Sequence, residues 1–290
     1  MALPLSGPIS LLDIQAEFGG PTPINLENYY KNGQYVTQYS YSPNVPEEGP
    51  ISLSDFYGAY SYQPVAHTVT LTDGESFTVP STIAGPITLT LTSPSGGNGG
   101  NDVGRGYPGY PGHRVTGNIT VSIGDVLFAS IGGAGGAGGS GSGSGFAGAA
   151  GAGGALGYSG GRGGNPGYSG WSGGGGGGGG ATVVTQNGTP VIVAGGGAGG
   201  GGGGWHSPGR PTQGYISTGS IVGGDGQDKG GGDGGGSGGG GGGQLGGIGG
   251  PLVSGDEGAW SGDDGADLIP PGGSSAQTSA NPTVILQGVW

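Results

Sequence analysis

Side chains able to do specific chemistry are sparse in this sequence and fall in five clusters. They are Arg105-Gly106-Tyr107-Pro108-Gly109-Tyr110-Pro111-Gly112-His113-Arg114, Tyr158 to Arg162, Asn165 to Trp171, Trp205-His206-Ser207-Pro208-Gly209-Arg210, and Asp256 to Asp267 with Trp260. Aromatic, Arg and His side chains carried on loops are what a recognition surface uses. The candidate binding residues are therefore Arg105, Tyr107, Tyr110, His113, Tyr158, Tyr168, Trp171, Trp205, His206, Arg210 and Trp260. A second reading stays open at each of them, because Tyr and Trp can equally cap the ends of neighbouring segments as small satellite cores.

Catalysis has much less to build on. His67, His113 and His206 fall near no serine or acid pattern recognisable as a triad. Paired carboxylates could hydrolyse a polysaccharide, but the Asp and Glu residues sit on turns and no long parallel β-helix repeat frames them. The pattern GxGxxG recurs only because glycine is abundant, and no Lys-Ser/Thr follows to make a phosphate-binding loop. Gly223-Gly224-Asp225-Gly226-Gln227-Asp228 opens like a calcium-binding nonapeptide, yet Gly230 stands where a large apolar residue is needed and no tandem copy follows. Asp256, Glu257, Asp263, Asp264 and Asp267 could supply oxygen ligands, but solvated carboxylates around a turn are the expected state. No enzyme activity, metal or cofactor is expected.

The elements that must position these residues are unusual. Of 290 residues, 85 are glycine, 21 are proline and none is cysteine. Glycine stands at roughly four times its average usage of about 7% without the Gly-X-Y period of collagen. With no cysteine there are no disulfides, zinc ribbons or thiol chemistry. A formal charge of -12 repels nucleic acid and anionic lipid. No signal-peptide pattern opens the sequence and no apolar run is long enough to span a bilayer, so a chain made in the cytoplasm and not inserted in a membrane is expected.

Residues 1–62 hold a threefold repeat, Pro8-Ile9-Ser10-Leu11-Leu12-Asp13-Ile14, Pro23-Ile24-Asn25-Leu26-Glu27-Asn28-Tyr29 and Pro50-Ile51-Ser52-Leu53-Ser54-Asp55-Phe56. Ser10, Asn25 and Ser52 read as N-caps, and the Asp or Asn three residues on can reach back as in a capping box. Ile9, Ile24 and Ile51 stand at staple spacing from Ile14, Tyr29 and Phe56. Three short helices are expected, stopped at Gly19-Gly20, Asn32-Gly33 and Gly58. Helices this short need a partner surface. The aromatic richness of this segment, with Tyr29, Tyr30, Tyr35, Tyr39, Tyr41, Phe56, Tyr57, Tyr60 and Tyr62, fits either a docking module or a self-contained aromatic core. On the docking reading the contacts are Ile9, Ile14, Phe18, Tyr29, Tyr30, Ile51, Phe56 and Tyr57.

Residues 63–131 alternate with period two, which predicts antiparallel strands with hairpin turns at Asp73-Gly74 and Gly124-Asp125, interrupted by a glycine-rich excursion over 95–114. From 132 to 290 glycine dominates, broken by a hairpin at 182–194 with an Asn187-Gly188 turn and by a terminal strand at 283–290. A helix costs about 1 kcal/mol per glycine, and a sheet would have no side chains to pack. Polyproline-II geometry remains; at about 3.1 Å per residue, Gly173 to Gly180 would span about 25 Å. Such helices packed side by side can bond laterally, because glycine allows close backbone approach. The expected fold is thus mostly β and irregular: a short-helix module, an antiparallel β-sandwich, and a polyglycine-II bundle with inserted hairpins.

The opening GPISLLDIQAEFGG, with PINLENYY and GPISLSDFYGAY, resembles the N-terminal segments of bacteriophage tail-fibre and other virion structural proteins. The stretch GGGGGGGGATVVTQNGTPVIVAGGGAGGGGGG resembles glycine-rich phage tail-fibre-tip adhesins, and also the glycine-rich domain of a receptor tyrosine kinase family. A kinase ectodomain would need a signal peptide and disulfides, so the phage resemblance is preferred. It implies a virion protein in a tail or fibre, whose first 62 residues attach to other virion proteins. Its glycine helices would present loops to a host cell-surface protein or glycan, within one chain or across the threefold axis of a homotrimer. A purely structural virion component, such as a head fibre, decoration or tail-tip scaffold, is the alternative.

Overall fold

The computed structural model describes residues 3–38, 40–62, 65–83, 85–141, 146, 151–167, 172–211, 220–229 and 234–290. The chain divides into two compact units, one of residues 1–66, 82–84 and 289–290, the other of 67–81 and 85–288. The second unit draws strands from both sides of the expected boundary at residue 131, because segments on either side share sheets.

In the first unit the repeat folds as read, with one difference. Only the first copy makes an α-helix, α1 (Leu11–Phe18); Leu26–Tyr29 and Leu53–Phe56 are single 3-10 turns. Ser10 and Asp13 close a capping box at α1, and Gly19 ends it at φ 75°. Asp55 accepts the Ser52 N–H at 2.7 Å, in the same manner, whereas the Asn25 side chain accepts from Glu27. The three turns converge. Ile14, Phe18, Tyr29, Val36, Val45, Phe56 and Ala59 form one buried cluster, with Ile9, Ile24 and Ile51 packed against it. Phe56 meets Phe18 and Tyr29 edge to face.

The second unit holds two antiparallel sheets. Its strands are β1 (Ala66–Leu71), β2 (Ser76–Thr78), β3 (Ile87–Thr92), β4 (Gly112–Ile119), β5 (Val126–Ser130), β6 (Thr182–Gln186), β7 (Thr189–Ala194), β8 (Ser274–Thr278) and β9 (Thr283–Val289). The first sheet runs β1-β9-β3-β4-β8 and the second β2-β5-β6-β7. Alternation works as read in β3, where Ile87, Leu89 and Leu91 are fully buried and Thr90 meets Thr116 of β4. The β6–β7 hairpin turns at Asn187-Gly188, both at positive φ, as an Asn-Gly turn requires.

At Asp73-Gly74 and Gly124-Asp125 the turns form but the expected hairpins do not. β2 pairs with β5 in the second sheet, while β1 and β4 belong to the first. Asp73 explains part of this: its carboxylate accepts the N–H groups of Ile131 and Ala155, which hold the turn against β5 rather than closing it on β1. β4 also begins inside the expected excursion and takes His113 and Arg114 into the sheet.

The glycine-rich segments grow out of these strands as extended chain, neither helix nor strand. Their backbone hydrogen bonds repeat every three residues. Gly173, Gly176 and Gly179 donate to Gly203, Gly200 and Gly197; Gly174, Gly177 and Gly180 donate to Gly139, Gly136 and Gly133; Gly175 and Gly178 donate to Gly164 and Gly161. Three antiparallel neighbours therefore accept in rotation. On the carbonyl side, Gly173, Gly176 and Gly179 accept from Gly236, Gly239 and Gly242, a parallel neighbour, and Gly174 and Gly177 accept from Gly100 and Gly97. The segment 173–180 is buried throughout, yet its peptide groups find partners in every direction. A Cβ on Gly176 would stand 2.0 Å from the Gly97 carbonyl oxygen, so the spacing admits no side chain.

Where a segment lies at the edge of this array, every third residue is released from that constraint. In 132–140, which reads GGAGGAGGS, Ala134, Ala137 and Ser140 are exposed while Gly135 and Gly138 face the carbonyls of Gly177 and Gly174. Other edge segments use the free position to bond inward. Ser261, Asp264 and Asp267 accept the N–H groups of Gly201, Ala198 and Gly195 at 3.1, 2.7 and 2.7 Å. Asn98 and Asn101 accept from Gly109 and Gly106, and Asp225 and Asp228 from Arg162 and Asn165. The acidic residues 264 and 267, expected to be solvated, are thus acceptors for backbone that no neighbouring carbonyl reaches.

Candidate functional site

The residues with recognition chemistry are concentrated on one edge of the array. The segment 104–111 repeats Gly-Tyr-Pro at three-residue spacing, and each position has a different task. Gly106 and Gly109 face the carbonyls of Gly99 and Gly96, where a Cβ would come within 2.1 and 2.3 Å. Tyr107 and Tyr110 donate their N–H groups to Gly201 and Ala198, both at 2.8 Å. Pro108 and Pro111, which have no N–H, take the one position that needs no donor. Spacing by three places Tyr107 and Tyr110 on one side, with rings 5.9 Å apart and 28° from parallel.

Two further strips continue this edge. Gly209 donates to the Arg105 carbonyl, Arg210 donates to Ala259, and Ser261 donates back to Arg210. Arg210 and Trp260 come together there, the guanidinium 5.5 Å from the ring centroid, while Glu257 pairs with Arg210 at 2.9 Å. Ser207 donates to the same carboxylate at 2.6 Å. The hydrogen bonds from Ser207 and Arg210 hold the Glu257 carboxyl below its ordinary range.

At the end of the edge, three turns meet. Gly104 donates to Gly204, Gly204 to Ser207, and His206 to Asp256, which binds the turns 102–105, 204–208 and 255–257 into a rim. Val103, Arg105, Trp205 and His206 are exposed on it, Trp205 at 46%. Arg105 makes no ion pair or side-chain hydrogen bond with any described residue. Asp102, in the same turn, has its Oδ2 buried and without a hydrogen-bond donor.

Seven of the expected binding residues thus share this region: Arg105, Tyr107, Tyr110, Trp205, His206, Arg210 and Trp260. Tyr158 does not, because it is buried with Ala181, Val183 and Val193 in a satellite core. His113 is also occupied elsewhere. Its Nδ1 lies 2.9 Å from Asp267 Oδ1 and its Nε2 3.5 Å from Asp264 Oδ2. Burial lowers its pKa, but the hydrogen bonds and charges of Asp264 and Asp267 outweigh this and raise it to about 10. His113 is therefore an imidazolium clamped between carboxylates that also hold the array. Tyr168 and Trp171 lie outside the described residues, as does Tyr39.

The residues expected to dock the first unit onto a partner are spent internally. Ile14, Phe18, Tyr29 and Phe56 are core, Ile9 and Ile51 pack on that core, and Tyr30 and Tyr57 donate their hydroxyls to Gly49 and Gly7. Of the two readings of this segment, the self-contained aromatic core describes these side chains. Its exposed aromatic pair is Tyr41 and Tyr60, stacked at 5.2 Å.

A groove of about 520 Å³ lies at the opposite end of the sheets, lined by Ile119, Thr120, Gln186, Val191, Ile269 and Pro270 among others. Among the described residues no group of His, Asp and Glu could hold a metal ion. No described helix is long and apolar enough to cross a membrane. No protein-family model matches the chain, and no curated protein matches it.

Proposed function

We propose that this chain is a non-enzymatic virion protein of the phage tail-fibre or fibre-tip kind, and that its glycine-rich segments form a polyglycine-II bundle which displays a receptor-binding edge. The three-residue period of lateral donors supports the bundle, because polyproline-II geometry has three residues per turn. What carries the functional reading is the placement of Tyr107, Tyr110, Trp205, Arg210 and Trp260 on one edge of an interior made almost wholly of glycine backbone. Such an interior does not recognise anything, so recognition falls to the edge, and the fixed backbone pre-organises it. The first unit is read as the attachment module to other virion proteins, offering Tyr41 and Tyr60 rather than its core residues.

Adsorption of the purified chain to a panel of bacterial strains, in competition with the phage that carries it, tests this reading. Saturable binding that blocks infection is expected, with Trp205→Ala and Tyr107→Ala reducing adsorption while circular dichroism and melting stay unchanged. Normal adsorption by both variants, or no adsorption by folded protein to the strain the phage infects, refutes it and leaves a structural virion component.

A further inference from the structure

We infer that β1 joins a second copy of this chain, strand edge to strand edge, in an antiparallel dimer whose twofold axis passes through Thr68. A strand at the edge of a sheet presents a row of unpaired N–H and C=O groups, and proteins ordinarily blunt such edges by shortening them or by placing proline, charge or a covering segment there. The edge strands are β1 and β8 in the first sheet and β2 and β7 in the second. Three of these are blunted. β7 carries Pro190, and on its outer side Val193 exchanges hydrogen bonds with Leu268, both at 3.0 Å. β2 is three residues long and stops just before Pro80, and β8 is confined to five residues between the turns closed by Gly273 to Pro270 and by Ala280 to Thr278. β1 has six residues, and residues 65–72 contain no proline and no Asp, Glu, Lys or Arg. Val65 and Trp290 exchange hydrogen bonds at 3.2 and 3.0 Å, which sets the register of β1 on β9, so by period two His67, Val69 and Leu71 bond to β9. The peptide groups of Ala66, Thr68 and Thr70 point the other way, and no described residue bonds them. All three residues are exposed. The row closes at Thr72, whose N–H goes to the Glu75 carboxylate at 2.9 Å and whose carbonyl accepts the Glu75 N–H at 3.1 Å.

Three open positions centred on Thr68 fit their own copy. Run antiparallel about a twofold axis, Thr68 faces Thr68 of the second copy, Ala66 faces Thr70 and Thr70 faces Ala66, and each pair exchanges two hydrogen bonds. Every outward N–H then meets a carbonyl. Across the contact the side chains pair threonine with threonine or alanine on one face and His67 with Val69 on the other, so no like charges are juxtaposed. Two chains of formal charge -12 repel each other, and an uncharged edge is where they can meet. The two five-stranded sheets become one continuous sheet.

Sedimentation equilibrium of the full-length protein from about 1 to about 100 μM, in about 0.15 M salt to screen the net charge, tests this. A concentration-dependent dimer is expected. Thr68→Pro removes the central donor and, because that N–H faces outward, leaves the pairing with β9 and the circular dichroism unchanged. The dimer should weaken by about thirtyfold or more, two hydrogen bonds being lost at its centre. Thr78→Pro makes the same change on the edge of β2 and should leave the dimer intact. Disulfide capture reads the register separately, and the absence of native cysteine keeps it clean. Cα atoms in a hydrogen-bonded antiparallel pair lie about 5.5 Å apart, within disulfide reach, so Thr68→Cys should crosslink to a dimer on mild oxidation. Thr70→Cys should not, because the two copies of position 70 stand four residues, about 14 Å, apart along the strands. A protein that stays monomeric at about 100 μM, a dimer indifferent to Thr68→Pro, or equal crosslinking at positions 68 and 70 overturns the inference.

Discussion

Replacing Gly176 by alanine measures what the array is worth. The added Cβ would stand 2.0 Å from the Gly97 carbonyl oxygen and 2.8 Å from that of Asn98. Ordinary contact begins at 3.4 Å, so segment 96–100 must retreat by about 1.4 Å (3.4 less 2.0). Backbone cannot rotate out of the way as a side chain can. The retreat stretches Gly97 and Gly100 away from Gly177 and Gly174, and away from Gly200 and Gly203, four hydrogen bonds of 2.8 to 3.0 Å. At about 1 kcal/mol net for each bond, the cost is about 4 kcal/mol, a large part of the 5–15 kcal/mol by which a domain is ordinarily stable. Gly133→Ala is the control within the same array. Its Cβ meets Ala152 at 3.3 to 3.4 Å, so a shift of tenths of an ångström suffices. The stiffer unfolded chain returns about 0.4–1 kcal/mol, and the expected net change is within about 0.5 kcal/mol. Guanidinium unfolding of both full-length variants, followed by tryptophan fluorescence, gives the comparison. Equal stabilities would refute the argument that close backbone approach, rather than glycine content as such, holds these segments.

Asp264→Ala leaves the buried Ala198 N–H without an acceptor and should cost about 1–3 kcal/mol, whereas Asp264→Asn keeps an acceptor and should recover most of it; identical losses in thermal melts would contradict the edge-acceptor role. The His113 ring should stay charged across pH 5–8 in an NMR titration, and an inflection near its ordinary 6.5 would be incompatible with the clamp. Because its folded pKa of about 10 exceeds the unfolded value, its contribution is complete below about pH 6.5 and is lost as pH rises toward 10; His113→Gln should flatten stability over that window. At the acid end, Asp228 and Glu257 have folded pKa values held below the ordinary carboxylate range, so their contribution is present above it and fades as pH falls through the folded values. Ser10→Ala removes the capping box at α1 and should destabilise the first unit by about 1 kcal/mol in its own unfolding transition.

Local signals in the sequence suffice where the decisive partner is a few residues away. The caps at Ser10 and Ser52 and the turn at Asn187-Gly188 follow from backbone chemistry within four residues. Strand partners do not: Asp73-Gly74 turns as expected, but β2 finds β5 about fifty residues on, a choice fixed by packing that alternation does not encode. Composition picks out Trp205, Arg210 and Trp260, which do share one edge, while Tyr158, no different in type, is buried and His113 is half-buried in an ion-pair cluster. Those placements depend on β4 entering a sheet and on a satellite core shared with Val183 and Val193, neither of which has a local signature. The sequence also carries a signal for the array's edges. Non-glycine residues at intervals of three, in Ala134-Ala137-Ser140, Asn98-Asn101 and Ser261-Asp264-Asp267, mark the edge segments and the direction each faces. The same spacing separates Tyr107 from Tyr110 and identifies the side they share.

An interior made of peptide groups also changes how the molecule should respond to temperature. Exposing apolar surface raises the heat capacity of unfolding and exposing polar surface lowers it, and ordinary domains reach about 12–15 cal/mol/K per residue. Segment 173–180 and its neighbours bury amides against amides, with almost no hydrocarbon between them. Calorimetry should therefore find a heat capacity increment per residue well below that range. A small increment gives a broad, shallow stability curve, so the protein would hold the same edge in nearly the same shape over a wide span of temperature.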